Sequence, residues 1–422
     1  MNIASSALPF QIVQWFAARG WSPRRHQLEM LDAAAEGRHA LLVAATGAGK
    51  TLAGFLPTLS ELIADPAEGL HTLYISPLKA LAVDVRRNLL TPIEEMALPI
   101  RVETRTGDTP SDRKQRQRVK PPHILLTTPE SLSLLLTHED SVHLFSTLKR
   151  VIVDEVHAFA NGKRGDLLSL SLARVQTLSP AMQRVALSAT VADPDDYRAW
   201  LAPDGDIDLV RLVEGEAAAE PDLTILLPEG RVPWAGHSGQ HAIPQLIEEI
   251  GRNKITLIFC NTRFLAEFIF QKLWDANEPK YAIGIHHGSL SIEARRKVEG
   301  AMADGKLRAL VCTASLDLGV DWGDVDCVIQ MGAPKGSSRL LQRIGRSNHR
   351  MDEPSKAILV PGNRFEYLEA QAAFDAVTEG VRDGEAFQVG SYDVLAQHVM
   401  GIVCAGPFDE AELLAEVQSA LP

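Results

Sequence analysis

The chain has 422 residues, 45% hydrophobic and 23% charged, ordinary values for globular domains and enough length for two or three of them, each with its own core. Its net charge of −12 speaks against blanket adsorption to polyanions, yet leaves room for a local basic track, because phosphate binding depends on nearby charge rather than on the sum. Cys260, Cys312, Cys327 and Cys404 are scattered, which points away from a disulfide framework or a zinc site. No apolar run approaches the ~18 residues of a membrane span and Met1-Asn2-Ile3 opens no signal peptide, so a cytoplasmic protein with no membrane association is expected.

A short amphipathic helix is expected to end between Trp15 and Gly20. Ser22 then reads as an N-cap and Pro23 as the first position of the next helix. That helix carries Gln27, whose side-chain amide offers both a donor and an acceptor and so suits the adenine N6/N7 edge; a plain surface glutamine is the alternative. The apolar run His39–Ala44 leads into Ala44-Ala45-Thr46-Gly47-Ala48-Gly49-Lys50-Thr51, and Leu52–Leu56 leads out in a helical pattern. Strand, glycine-bearing loop and helix in this order make a phosphate cradle. Backbone N–H groups of Thr46, Gly47, Ala48 and Gly49 face the anion, Lys50 reaches the β/γ-phosphates and the Thr51 hydroxyl can ligate Mg²⁺. Ala44 stands where the strict pattern has glycine.

Buried-type strands recur at Leu73–Ile75, Ile124–Leu126, Val151–Val153 and Val185–Leu187, separated by helical stretches, the alternation of a parallel sheet covered on both faces. Ligands gather at the carboxyl edge of such sheets, so the residues just after each strand are the candidates for chemistry. After the third comes Asp154-Glu155-Val156-His157: Asp154 is placed to hold Mg²⁺, and Glu155 to orient and deprotonate the attacking water. After the fourth comes Ser188-Ala189-Thr190, whose hydroxyls can respond to the state of the γ-phosphate. The loops Ser76–Leu81, with Pro77 and Lys79, and Thr127–Leu132, with Thr128 and Pro129, suit backbone phosphates; helix capping is the alternative for Thr128 and Ser131. The basic run Asp112–Lys120 reads as a solvated helix face.

Residues 206–243 lose periodicity and are rich in proline, marking a boundary segment with a strand or two inside it, between a first domain over 1–205 and a second over 244–382. Strands resume at Ile255–Phe259, Tyr281–Ile285, Leu307–Val311, Cys327–Ile329 and Ala357–Val360, without a second phosphate loop. One nucleotide site completed from a second domain is therefore expected. The completing element is Gln342-Arg343-Ile344-Gly345-Arg346: Arg343 and Arg346 share a helix face as candidate arginine fingers and Gln342 can help position the water. Strand-end loops place Arg263, Gly288, Thr313 and Ser315 toward a nucleic-acid backbone, and Gly319 and Asp321 toward the nucleotide, with Asp321 as acceptor for a ribose hydroxyl. The adjacent His286 and His287 carry no metal-site spacing. Residues 383–422 read as the beginning of a third domain.

Taken together these motifs resemble a superfamily 2 helicase, and Pro23–Gln27, the Asp-Glu-Val-His box, Asp317–Gly323 and Gln342–Arg350 resemble the ligase-associated DEXH-box branch of Lhr helicases. The resemblance implies an α/β fold of two tandem RecA-like domains followed by the start of a winged helix, with ATP or dATP and Mg²⁺ as cofactors. It implies 3′-to-5′ movement on single-stranded DNA, unwinding of DNA or RNA:DNA duplexes, and a DNA-repair role beside ligase or nuclease partners. By the same match His157, Ser188 and Thr190 would couple hydrolysis to movement, and Thr128, Arg263 and Thr313 would lie along the strand. An RNA helicase or remodeller, and an ATP-gated clamp without efficient turnover, are the competing readings.

Overall fold

The computed structural model describes residues 8–66, 68–77, 85–159, 162–189, 191–216, 219–227, 232–236, 238–316, 325–347, 354–384, 387 and 390–420. The chain divides into two compact units: Met1–Ala44, Ala48–Glu216 and Gly384–Pro422 form the first, Ala45–Gly47 and Ala217–Asp383 the second.

The first unit is built on a parallel sheet of seven strands among the described residues: β1 (His39–Val43), β2 (Thr72–Ile75), β3 (Val102–Arg105), β4 (Ile124–Thr127), β5 (Arg150–Val153), β6 (Gln183–Ser188) and β7 (Val210–Glu214), in the order β3-β4-β2-β5-β6-β1-β7. β2, β4 and β5 are buried along their whole length, which is why they read as unbroken apolar runs. Leu132, Leu168, Leu172 and Val175 on the helices Pro129–Leu136 and Lys163–Leu178 close one face over Leu125, Val151 and Ala186. β3 is half-buried at the sheet's edge and has Glu103, Thr104 and Arg105 in succession, so it carries no apolar signal.

The second unit holds a parallel sheet of six described strands: β8 (Asp222–Ile225), β9 (Thr256–Cys260), β10 (Ile283–His286), β11 (Ala309–Cys312), β12 (Cys327–Met331) and β13 (Lys356–Val360), ordered β10-β11-β9-β12-β13-β8. Both faces are covered: Leu246, Ile269 and Leu273 pack over Ile258 and Val311 on one side, and Leu340, Ile344 and Ala370 over Leu257 and Leu310 on the other.

One placement differs from the sequence reading, the start of the second helix, and two are refined. The stretch 206–243 contributes β7 to the edge of the first sheet and β8 to the edge of the second, so the chain passes between units at Glu216–Ala217. The second helix is Arg25–Ala35 and begins past Pro23, because Gln27 Oε1 accepts the Arg24 backbone N–H at 2.9 Å and caps it there. Residues 384–422 pack on the first unit: Val394 of the helix Tyr392–Ala405 lies with Leu167 and Leu170, and Glu416 of the helix Glu410–Gln418 receives Arg174 Nη1 at 3.1 Å.

Candidate nucleotide site and nucleic-acid face

Strand order assembles the first unit's site. β5, β6 and β1 lie side by side, so the Asp-Glu-Val-His box, Ser188 and the start of the phosphate loop emerge together at one carboxyl edge. β3, β4 and β2 form the other half of that edge and carry the loops with Pro77, Thr128 and Pro129.

Gly47 and Gly49 adopt left-handed backbone (φ +80° and +77°), and Gly49 caps the helix Lys50–Ala64. Lys50 and Thr51 open that helix with buried side chains. Two neighbours brace the loop. His26, fully buried, holds the Ala48 carbonyl at 3.0 Å through Nε2. Burial depresses its pKa below the ordinary histidine value, favouring the neutral ring, whose Nε2–H is then the donor. Gln27 is buried with its oxygen committed to the helix cap, and a Cβ on Gly49 would come 3.1 Å from its Nε2. The donor side of that amide therefore abuts the loop. Ala44 is accommodated by Gly215, where a Cβ would lie 2.3 Å from that of Ala44.

Asp154 follows β5 directly and is almost fully buried. Its Oδ1 accepts the Glu155 backbone N–H at 2.9 Å and its Oδ2 accepts the Tyr74 hydroxyl from neighbouring β2. The Tyr74 ring in turn stacks on Phe55 of the phosphate-loop helix, centroids 5.0 Å apart. Glu155 sits in left-handed backbone (φ +49°), a conformation costing about 1–3 kcal/mol for such a residue and typical of functional turns. His157 Nδ1 is hydrogen-bonded to Ser188 Oγ at 2.8 Å and lies 3.6 Å from Glu155 Oε2. Glu155, His157 and Ser188 thus form one polar chain. Thr51 and Asp154 offer hydroxyl and carboxylate oxygens, the hard donors Mg²⁺ takes when phosphates supply its other ligands. Among the described residues no group of three or more His, Cys, Asp and Glu could hold a metal on its own.

On the other half of the edge, Thr128 caps the helix Pro129–Leu136 by accepting from Ser131 N–H, so capping is at least part of its work. Arg164 ties these loops together: Nη2 donates to the Pro77 carbonyl at 2.8 Å and Nε to Glu130 at 2.6 Å.

In the second unit the loops after β10, β11 and β9 adjoin. Exposed Arg263 donates to Ser289 Oγ beside Gly288, and His286 Nδ1 is hydrogen-bonded to Ser315 Oγ at 3.0 Å, with Thr313 Oγ1 3.5 Å from the same oxygen. The four residues of this unit read from sequence as backbone contacts, Arg263, Gly288, Thr313 and Ser315, lie at one edge. His286 and His287 turn instead to Glu299 and Glu267, at 3.1 and 3.3 Å. Gln342 and Arg343 lie on the helix Ser337–Ile344, with Arg346 just past its end. Arg343 is 2% exposed, donates to Gln330 Oε1 on β12 and lies over the Phe259 ring at 4.8 Å, which compensates burial of its charge. Arg346 is also buried and Gln342 half-buried.

Lys79, Thr190, Gly319 and Asp321 lie outside the described residues. His26, Tyr74 and Arg164 were not legible as functional. Tyr74 looks like any strand residue, and Arg164 like any residue of a polar helix start; His26 stands beside Gln27, the one signal that could have drawn notice. No helix among the described residues is long and apolar enough to cross a membrane.

Comparison with known proteins agrees with this geometry. Residues 24–197 match the DEAD/DEAH box helicase family and residues 240–351 the helicase conserved C-terminal domain. The chain is 37% identical to the ATP-dependent helicase Lhr-Core of Methanocaldococcus jannaschii, over 97% of this chain and 50% of the relative. It is 35% identical to a Lhr helicase/probable uracil glycosylase of Mycolicibacterium smegmatis, over 97% of this chain and 30% of the relative. The structure of Mycobacterium smegmatis helicase Lhr bound to ssDNA and AMP-PNP superposes with a TM-score of 0.87 at 36% identity, over 99% of this chain and 56% of that one. The chain thus spans about half the length, or less, of these relatives. With a DEAD/DEAH box helicase domain and a helicase conserved C-terminal domain in tandem on two parallel-sheet RecA-like units, the chain is a homologue of the Lhr helicases.

Proposed function

We propose that the chain is an ATP-driven motor on single-stranded DNA. The observation that carries this reading is the strand order β5-β6-β1, which places phosphate loop, carboxylate pair and Ser188 at one edge, beside hydroxyl-bearing loops suited to a phosphate backbone. The ssDNA and AMP-PNP bound by the mycobacterial relative support it. Lys50 and the Gly47–Gly49 backbone hold the triphosphate, and Gln27, its oxygen engaged in the helix cap, has its Nε2–H₂ group left to offer the adenine. Thr51 and Asp154 would hold Mg²⁺, which when bound neutralises charge on the phosphate oxygens. Glu155 orients the attacking water and takes its proton; Arg343 and Arg346 stabilise transition-state charge, with Gln342 near the water. Gly319 and Asp321 belong to the nucleotide side, and Asp321 accepts from the ribose. His157, Ser188 and Thr190 relay the γ-phosphate's presence to the strand-binding loops, where Pro77, Lys79, Thr128, Pro129, Arg263, Gly288, Thr313 and Ser315 contact the backbone. In keeping with the resemblance to the ligase-associated branch, movement is 3′-to-5′ and serves unwinding of DNA or RNA:DNA duplexes in repair, in the cytoplasm, beside ligase or nuclease partners. Residues 383–422 begin the winged helix.

The test is ATP hydrolysis without polymer, with single-stranded DNA and with RNA, in the wild type and in Glu155→Gln. DNA should accelerate turnover, and Glu155→Gln should abolish it by a factor of about 10² or more, the usual worth of a positioned base, while nucleotide affinity persists. Equal rates in all three conditions would overturn the motor reading; stimulation by RNA alone would favour an RNA remodeller.

A further inference from the structure

A second aromatic feature lies on the carboxyl edge of the second unit, outside every motif used above. The segment Val232–Gly236 is strapped to the start of the helix Arg364–Thr378: Asn363 Nδ2 donates to the Gly236 carbonyl at 2.7 Å, Arg364 N–H to the Pro233 carbonyl at 3.1 Å, and Arg364 Nε to the Val232 carbonyl at 3.3 Å. Between these anchors Trp234 is 66% exposed, with the Arg364 guanidinium 4.2 Å from its ring centroid. A lone exposed apolar side chain is ordinary. Here, however, the backbone on both sides is fixed and a cation lies against the indole ring, while most of its surface faces water. The cation polarises the ring and adds positive charge beside it.

The position is continuous with the candidate strand-binding loops. A Cβ on Gly239, three residues past Gly236, would come 2.6 Å from Met331 Cε, so the chain following the segment lies against the end of β12. A Cβ on Gly332, at the end of β12, would lie 3.6 Å from Asn261 Nδ2 and 3.4 Å from Glu366 Oε2, joining the turn that holds Arg263 to the turn that holds Arg364. We propose that Trp234, backed by Arg364, is a base-stacking contact for single-stranded nucleic acid, extending the face formed at β10, β11 and β9 across β12 to β13. Arg263 and its neighbours hold phosphates; Trp234 supplies the flat apolar surface on which a base can stack without regard to its identity. This assignment rests on the reading of the chain as a nucleic-acid motor.

The experiment is fluorescence anisotropy of a labelled oligo-dT with the full chain. Trp234→Ala should weaken binding about tenfold, as loss of one stacked base does, while Trp234→Phe, which keeps a ring, should restore most of it. Affinity for a fluorescent ATP analogue without polymer should not change in either variant. An oligonucleotide with abasic positions should bind the wild type as weakly as Trp234→Ala binds oligo-dT, and should cost the variant little more. If the wild type binds oligo-dT and Trp234→Ala binds it equally, the stacking assignment is wrong and the motor reading stands. If the wild type binds no oligonucleotide, both are wrong.

Discussion

His157 and Ser188 meet at the carboxyl edge of the first sheet, ring nitrogen to hydroxyl oxygen at 2.8 Å, and the Glu155 carboxylate stands 3.6 Å from the same nitrogen. The side chain proposed to orient the attacking water is thereby one residue removed from a hydroxyl on β6. Replacing Ser188 by Ala should leave ATP affinity near that of the wild type but reduce the mutual strengthening of ATP and DNA binding by about tenfold, within the range of coupling between sites. Oligonucleotide affinity measured with and without a non-hydrolysable ATP analogue reads this directly; unchanged coupling would remove Ser188 from the relay.

Tyr74 supports Asp154 from the adjoining strand. Tyr74→Phe keeps the ring stacked on Phe55 and removes only the hydroxyl that donates to Asp154 Oδ2. The Mg²⁺ concentration for half-maximal ATPase should rise about tenfold, as when the supporting hydrogen bond of a metal ligand is lost. Magnesium titrations at fixed ATP, with a thermal melt to confirm folding, check it.

The pairing of Ala44 with Gly215 predicts a reciprocal rescue. Gly215→Ala puts two methyl groups 2.3 Å apart, so the start of the phosphate loop or the end of β7 must shift. Overpacking of this kind costs about 1–3 kcal/mol, and the melting temperature and ATP affinity should both fall. Ala44→Gly in the same chain should restore both, while Ala44→Gly alone should change little.

Acid stability follows from Glu61. Burial raises its pKa, but hydrogen bonds and charge from His71 and Arg150 outweigh that and hold it at about 2. A carboxylate depressed in the folded state stabilises above its unfolded value, 4.5, and that stability is lost as pH falls toward about 2. Glu61→Gln should therefore lower the melting temperature clearly at pH 7, because Arg150 is 1% exposed and loses its anionic partner at 2.7 Å. The difference from wild type should shrink as pH falls below 4.5. A constant difference from pH 7 to pH 3 would contradict this account.

Much of the fold was legible because parallel strands covered on both faces must be apolar without interruption, as at Val151–Val153 and Leu257–Phe259. β3 escaped because an edge strand needs to bury only one side, and β7 and β8, also at sheet edges, were expected only as a strand or two within 206–243. The candidate polar residues stood out in the sequence where chemistry asks for a residue type in a phosphate loop or at a strand end: Lys50, Asp154, Glu155, Arg263. What stayed hidden were residues acting through space on those positions. His26 bracing Ala48, Tyr74 reaching Asp154 and Arg164 joining Pro77 to Glu130 depend on which strands and helices become neighbours, and no local pattern encodes that.

The return of residues 384–422 to the first unit makes the second an insertion with both ends anchored in the same body. A single proteolytic cut between Glu216 and Asp222 would leave fragments that remain together, because the carboxyl-terminal helices of the downstream piece stay docked on the helix Lys163–Leu178 of the upstream one through Arg174–Glu416 and Lys163–Asp393. Denaturing and native electrophoresis of such a nicked chain would then disagree, two bands in one and one in the other.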